Sequence, residues 1–282
     1  MKLVRTIPAL RREISRYRRT GRPISFVPTM GVLHAGHIEL TQRARRIVGR
    51  RGIVVVSIFV NPTQFNQKSD FKKYPHTLAA DCAKCRAAGV DIVFAPSARS
   101  MYPENFSTWV NEESLSLTLC GASRPGHFRG VCTIVLKLFN QVQPDVAIFG
   151  QKDAQQALVI RRVVRDLDIP VKIIVAPTVR ERDGLAMSSR NARLSPQERI
   201  HALAINEALS QVRAAFRRNI RNASKLKKIV RSHLAKIHGM KVDYVELMDT
   251  AMLRSVTKAS RGNLLAMAVW VGGTRLIDNI KL

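Results

Sequence analysis

Long apolar runs are missing from this chain of 282 residues. The longest candidate, Ile53 to Val60, covers eight residues and reads as a buried strand, too short to cross a bilayer. The N-terminus carries Lys2, Arg5, Arg11 and Arg12 but neither an apolar block nor a cleavage site, so it does not read as a secretion signal. Together these absences predict a cytoplasmic protein with no membrane partner. Aromatic residues make up only 6%, which leaves little for stacking on nucleic-acid bases. Cysteines number four, and Cys82 and Cys85 form a CxxC. No second pair completes a tetrahedral zinc site, so the two thiols are expected on one face of a helix, and no metal ligand is assigned. Neither GxxxxGK[ST] nor GxGxxG occurs, which removes support for a phosphate-loop kinase or a dinucleotide enzyme. No nucleophile–base pair stands out either, and a mechanism of positioning and charge stabilisation fits better.

Acidic residues are also scarce. Forty-seven Lys and Arg face 20 Asp and Glu, giving a net charge of +27 and a pI near 11.2. Such a surface attracts polyanions. The basic residues are spread, however, over Arg11 to Arg19, Arg43 to Arg51, Arg161 to Arg165, Arg213 to Arg221 and Lys225 to Arg231. With no recognised binding signature, charge alone carries no sequence readout, and the pattern argues for a solvated basic face rather than a nucleic-acid partner.

What is present alternates strands with helices, the pattern of an α/β fold: a Rossmann-like, doubly wound parallel sheet. Ile24 to Pro28 reads as the first strand, Ile53 to Val60 as the second, then Ile92 to Ala95, Val146 to Phe149 and Val171 to Ala176. Helices are expected over 36–48, 77–88 (stopped by Gly89), 131–142 and 153–167. The pattern changes near residue 185. Ser195-Pro196-Gln197-Glu198 is a capping box with proline at the first helical position, opening a helix to about Phe216. A second helix over 223–238 and strands over 242–248, 264–271 and 274–279 follow, with Gly272-Gly273 as a tight hairpin turn. Two domains are therefore expected, 1–184 and a smaller α+β domain, 185–282.

Four segments carry candidate chemistry, each read as a loop off the sheet. Pro28-Thr29-Met30-Gly31-Val32-Leu33-His34-Ala35-Gly36-His37 lies between a strand and a helix, where doubly wound sheets bind ligands. His34 and His37 can donate hydrogen bonds to phosphate oxygens and stabilise charge on a leaving pyrophosphate. Taken alone, an HxxH could equally be a zinc pair or two surface histidines. Phe149-Gly150-Gln151-Lys152-Asp153 again follows a strand; Lys152 can neutralise a phosphate, and Asp153 can cap the helix or bind a ribose hydroxyl. Met187-Ser188-Ser189-Arg190, after Arg182-Asp183-Gly184, offers hydroxyls and a guanidinium suited to a triphosphate. Asn61-Pro62-Thr63-Gln64 ends the second strand. Uncharged amides such as Gln64 and Gln156 suit hydroxyls, or a carboxylate that must stay nucleophilic.

Together these segments resemble the pantothenate synthetase (pantoate–β-alanine ligase) family, within the nucleotidyltransferases with HIGH-type and KMSKS-type motifs. The resemblance runs through PTMGVLHAGH, VVVSIFVNPTQF, YPHTLAAD, VFAPS, GASRPGHFRGV, KLFNQVQPDVAIFGQKDAQQ, RERDGLAMSSRNARLS and GGTRLIDN, in family order over nearly the whole chain. It implies an ATP-dependent ligase: pantoate attacks the α-phosphate of ATP to give pantoyl adenylate and pyrophosphate, then the β-alanine amine displaces AMP. It implies Mg²⁺ with the ATP and a homodimer whose C-terminal domain is a lid. His34, His37 and Lys152 are implied as catalytic, with His37 at the position usually called the proton donor. The nucleotide contacts implied are Met30 to His37 (Met30, Gly31, Val32, Leu33, His34, Ala35, Gly36, His37), Gly150, Gln151, Lys152, Asp153, Val179, Met187, Ser188, Ser189 and Arg190. Gln64, Gln156 and Asn61 are the expected pantoate and β-alanine contacts. Gln151, where the family often has Glu, His76, where Arg is common, and the charge of +27 depart from the family pattern. The segment Arg180 to Arg193 is the candidate gate between the domains.

Overall fold

The structure is a computed structural model that describes residues 1–66, 71–72 and 74–282. Six strands form one parallel sheet: β1 (Lys2–Val4), β2 (Ile24–Thr29), β3 (Ile53–Ile58), β4 (Ile92–Phe94), β5 (Val146–Gly150) and β6 (Lys172–Ala176), in the order β1-β4-β3-β2-β5-β6. Among the described residues, seven helices accompany it: α1 (Ile7–Arg19), α2 (Ala35–Val48), α3 (Leu78–Ala87), α4 (Ala98–Met101), α5 (Leu119–Ser123), α6 (His127–Val142) and α7 (Ala154–Asp166). Side chains alternate across a strand, so each strand feeds two cores. Phe26, Val55 and Phe94 pack with α1, α6 and α7. Val27, Val54, Val56 and Ile148 pack with α2 and α3, where Cys82 and Cys85 are buried. Both faces of the sheet are covered, which explains why its strands read as unbroken apolar runs.

The chain passes from β2 through α2 to β3 on one side, and later returns to place β5 on the other side of β2. The strand order therefore reverses at β2. In an open parallel sheet the crevice at such a reversal, at the carboxyl ends of the strands, is where ligands sit. The loops after β2 and β5 both open there.

The rest of the chain forms α8 (Pro196–Arg217), α9 (Ala223–Leu234) and an antiparallel sheet, β7 (Met240–Met248), β8 (Leu264–Val271) and β9 (Thr274–Lys281), in the order β7-β8-β9. The expected capping box opens α8: Ser195 N–H donates to Glu198 at 2.8 Å and Glu198 N–H to the Ser195 hydroxyl at 3.2 Å. Gly272-Gly273 is the two-residue turn between β8 and β9. Leu265, Met267 and Val269 of β8 pack on α8 and α9, whereas Leu264 and Ala266 join the core of the parallel sheet. The small sheet is thus seated on the large one by its second face.

Three expectations need correction. The first strand is β1, not Ile24 to Pro28. It has three residues and no pattern to betray it, and it exists because it pairs in register with β4. Helix α6 begins at His127, four residues before Val131, because Gly126 adopts a left-handed φ of 79° and starts it there. Helix α9 stops at Leu234 rather than His238, since β7 already begins at Met240.

Candidate functional site

The turn after β2 is held by side chains from α3. Gly31 and Val32 have φ of 83° and 53°. A β-branched residue there is strained, so something must hold it. That something is Asp81, whose carboxylate is buried and accepts the N–H groups of Val32 at 2.9 Å and Leu33 at 2.7 Å, with the Thr77 hydroxyl at 3.0 Å. Lys84 donates to the Leu33 carbonyl at 2.5 Å. The positive φ of Gly31 favours glycine, and a Cβ there would also crowd Asp81 at 3.1 Å, while one on Gly36 would lie 2.9 Å from the His34 ring and force it to shift.

His34 and His37 build an N-terminal capping box for α2. His34 Nδ1 accepts from Gly36 N–H at 3.1 Å, and His37 Nδ1 accepts from His34 N–H at 3.3 Å. The rings lie 4.0 Å apart between centroids. With each Nδ1 an acceptor, each neutral ring carries its proton on Nε2, and neither Nε2 bonds within the protein among the described residues. Burial, followed by the positive charge of Lys152, lowers the His34 pKa to about 4. Burial, followed by His34 itself, lowers that of His37 to about 3. Both are therefore neutral donors at pH 7.

The loop after β5 lies in the same electrostatic neighbourhood: Lys152 and Asp153 act on both imidazoles with opposite sign. Asp153 makes no capping hydrogen bond, and its carboxylate is half-exposed 4.0 Å from Lys152 Nζ. Of the two roles read for it, capping is absent. Gln151 is bound to β9: its amide donates to Asn279 Oδ1 at 2.8 Å, while Asn279 donates to the Gln151 and Lys152 carbonyls, each at 2.9 Å. The residue at 151 thus joins the β5 loop to β9.

The amide cluster is divided. Asn61, expected to touch substrate with Gln64, is fully committed to the protein: it donates to Gln64 Oε1 at 2.8 Å and the Gly130 carbonyl at 3.1 Å, and accepts from the Tyr102 hydroxyl at 2.9 Å. It orients Gln64 and has no free amide to offer. Gln64 Nε2 points to the Met30 sulfur at 3.7 Å. The Gln64 backbone carbonyl accepts from Arg124 and from His127 Nδ1, each at 2.9 Å. Burial, then Arg124, lowers the His127 pKa to about 4, against the opposing hydrogen bond to Gln64. Gln155 and Gln156, adjacent in sequence, behave differently. Gln155 is buried and bonds Leu115, Thr118 and Cys120 backbone groups. Gln156 is half-buried and its amide has no protein partner among the described residues.

Residues 180–186 form a small hairpin closed by the Arg180–Ala186 bridge, and a short 3-10 helix, Ser189–Arg193, follows it. Met187 N–H donates to the Val179 carbonyl at 3.0 Å. Arg180 pairs with the buried carboxylate of Asp278 at 2.6 Å, and Arg199 pairs with Glu181 at 2.8 Å and with Asp183. Arg190 donates to the Arg275 carbonyl at 3.4 Å, and the Ser189 hydroxyl meets the Tyr74 phenol. Lys152, Ser188, Arg190, Arg275 and Asp278 line one narrow cleft. Beside Met30 and Gly31 a wider groove of about 540 Å³ is lined by Phe59, Leu78 and Pro96 together with Arg5 and His76.

Sequence reasoning missed Asp81, Lys84, Tyr74, Tyr102, Arg124 and His127, all of which hold site residues from a distance. A usable signal was Val32, a β-branched residue inside a glycine turn, which implies an outside anchor. Among the described residues no group of three or more His, Cys, Asp or Glu could hold a metal. The CxxC thiols are buried with pKa values pushed up, that of Cys85 to about 12 by desolvation.

A family model described as pantoate-beta-alanine ligase matches residues 2–281. A pantothenate synthetase from Thermotoga neapolitana is 50% identical over 282 residues, covering 100% of both chains. The crystal structure of pantothenate synthetase from Thermus thermophilus superposes with a TM-score of 0.93 at 41% identity, covering 100% of this chain and 99% of that one. That of pantoate-beta-alanine ligase from Francisella tularensis, complexed with beta-gamma ATP and beta-alanine, gives 0.80 at 34%, covering 100% and 97%.

Proposed function

The chain belongs to the pantoate–β-alanine ligase family, and we propose that the crevice between β2 and β5 is where it joins (R)-pantoate to β-alanine at the expense of ATP. The reaction has two steps. A pantoate carboxylate oxygen attacks the α-phosphorus, the bond to the bridging oxygen breaks, and pyrophosphate leaves. The β-alanine nitrogen then attacks the acyl carbon, loses a proton, and AMP leaves as the amide forms.

The observation that carries the assignment is the pair of neutral imidazoles at the strand-order reversal, with their Nε2–H groups free. Preorganised donors aimed at a leaving pyrophosphate stabilise the charge that develops there without reorganising during the reaction. Lys152, from the adjoining loop, adds a full positive charge and lines one narrow cleft with Ser188 and Arg190 of the 180–193 segment; Ser189 is the neighbouring hydroxyl assigned to the phosphates. Gln64, aimed by Asn61, and Gln156 supply uncharged amides for the pantoate hydroxyls and carboxylate, which a cation would make less nucleophilic. Mg²⁺ is held mainly by nucleotide phosphates and one or two carboxylates. The Asp153 carboxylate, uncommitted to a cap and half-exposed beside Lys152, fits that demand. The ion would supply charge neutralisation on the phosphates.

Residues 1–184 are assigned as the nucleotide- and pantoate-binding domain and 185–282 as the lid. No helix among the described residues is long and apolar enough to cross a membrane, in keeping with a cytoplasmic place. Exposed Trp109 and Leu117 offer apolar surface for a homodimer, which light scattering would measure. The central experiment is ATP–pyrophosphate exchange. Exchange that requires pantoate but not β-alanine, with pantothenate formed only when both are present, supports the two-step reading. Exchange independent of pantoate would refute it.

A further inference from the structure

Of the 47 Lys and Arg behind the charge of +27, the proposed ligase reaction uses only Lys152 and Arg190. Between Glu207 and Asp243 the chain has no Asp or Glu. In sequence the cations of this stretch look dispersed, but α8 and α9 pack antiparallel and bring them together. Gln211 of α8 reaches His233 of α9 at 3.0 Å, and Glu207 reaches the same ring at 3.1 Å. Towards the turn of this helical hairpin stand Arg213, Arg217 and Arg218 at the end of α8 and Lys225, Lys228 and Arg231 on α9. All six are exposed, and none is paired with an acid among the described residues. The nearby acids are already engaged, Glu207 with His233 and Glu246 with Lys227 at 3.1 Å.

The geometry points to this hairpin as a binding surface for the sugar–phosphate backbone of a double-stranded nucleic acid, without sequence preference. Six unpaired cations on two adjoining helices attract phosphate strongly, and the three at the end of α8 are guanidinium forks that match phosphate oxygens in pairs. At the turn end of the hairpin Val212, Phe216, Leu226, Val230 and Leu234 are buried and Ile220 and Ile229 pack partly buried against the same core; the exposed Ile200 stands in the first turns of α8, away from the cations, so no apolar cluster is offered there for insertion into a lipid layer. Phe216 is buried and covered by Arg221 at 3.8 Å, and no aromatic is exposed there, which disfavours a single strand held by base stacking. What remains is contact with phosphates, which positions but does not read sequence.

The test is fluorescence anisotropy of the full-length protein with labelled duplexes of about 20 base pairs, one DNA and one RNA, across a salt series. With about six phosphates neutralised, affinity should fall about 1000-fold between roughly 50 and 200 mM salt. The variant R217Q/R218Q/K225Q/K228Q should reduce the slope of log affinity against log salt by about 0.9 for each phosphate no longer neutralised. The control R11Q/R12Q/R16Q/R19Q removes the same charge from exposed positions on α1 and should leave the slope nearly unchanged. Both variants should keep ATP–pyrophosphate exchange, which shows that they are folded. Equal weakening of binding in both variants would mean that net charge alone attracts the duplex, and the assignment falls. It falls equally if no duplex binds at the lowest salt, or if phosphatidylserine vesicles bind through the same four residues and duplex does not displace them.

Discussion

The turn at residues 29–37 and the hairpin with its following helical turn at residues 180–193 lie side by side, a Cβ on Gly36 falling 3.5 Å from that of Met187, and both are held from outside, but by opposite chemistry. The turn is held by a buried carboxylate accepting backbone N–H groups and by two imidazoles kept neutral. The hairpin is held largely by ion pairs: Arg180 to Asp278 and Arg199 to Glu181 and Asp183. Buried hydrogen bonds to a carboxylate hardly respond to salt, while the half-exposed Arg199 pairs are screened by it. The contrast suits a site in which one wall must stay fixed while the other, the candidate gate, opens for ATP and closes over the adenylate.

The largest expected effect is at the fixed wall. His37→Ala should lower pantoate-dependent exchange by about 100- to 1000-fold, the usual cost of one lost charge-stabilising donor. An enzyme within about threefold of wild type would remove His37 from the reaction. Next is Asp81→Ala, which leaves the Val32 and Leu33 N–H groups without an acceptor. It should cost about 3 kcal/mol in urea unfolding, with Asp81→Asn recovering part because one acceptor oxygen remains. An Asp81→Ala protein as stable as wild type would mean the turn needs no anchor.

Gln64→Ala and Gln156→Ala should lower kcat/KM for pantoate by about 10- to 100-fold and leave the ATP dissociation constant nearly unchanged. A raised ATP constant with normal pantoate use would place that residue on the wrong substrate. The pH response follows from the histidines. His34, His37 and His127 have folded pKa values of about 4, 3 and 4, below the ordinary 6.5. Between those limits the unfolded chain binds more protons, so stability rises with pH through the window and is lost as pH falls from 6.5 towards 4. The urea midpoint should drop over that range, and less steeply in His127→Ala. A flat profile there would count against burial as the cause. The smallest effect belongs to the other wall. Arg199→Ala should cost less than about 1 kcal/mol, and hydrogen exchange in residues 180–193 should quicken in the variant. High salt should quicken it in wild type and leave exchange at residues 31–37 alone. Equal salt sensitivity of both segments would erase the contrast.

Much of this was legible in the chain. Five of the six parallel strands announced themselves because burial on both faces makes them apolar throughout, and His34, His37 and Lys152 were singled out because glycine-containing turns after strands are where such a sheet binds anions. Gln64 was singled out together with Asn61, but nothing in NPTQ tells which amide orients the other, as Asn61 does by donating to Gln64 Oε1. Nor does QQ at 155–156 say which glutamine is buried. These choices depend on which side of a short turn a neighbour from elsewhere occupies.

Local pattern by itself determined the fold class, the Ser195–Glu198 capping box and the identity of the chemical groups, because periodicity, capping and glycine turns act over a few residues. Tertiary structure decided three things: that β1 exists, since three residues become a strand only by pairing with β4; that Asp81, 48 to 49 residues away, holds the turn carrying the histidines; and that cations dispersed along the sequence stand together on α8 and α9. Each is a contact between segments remote in the chain, and such a contact is set by how the layers pack, which no short window of sequence contains.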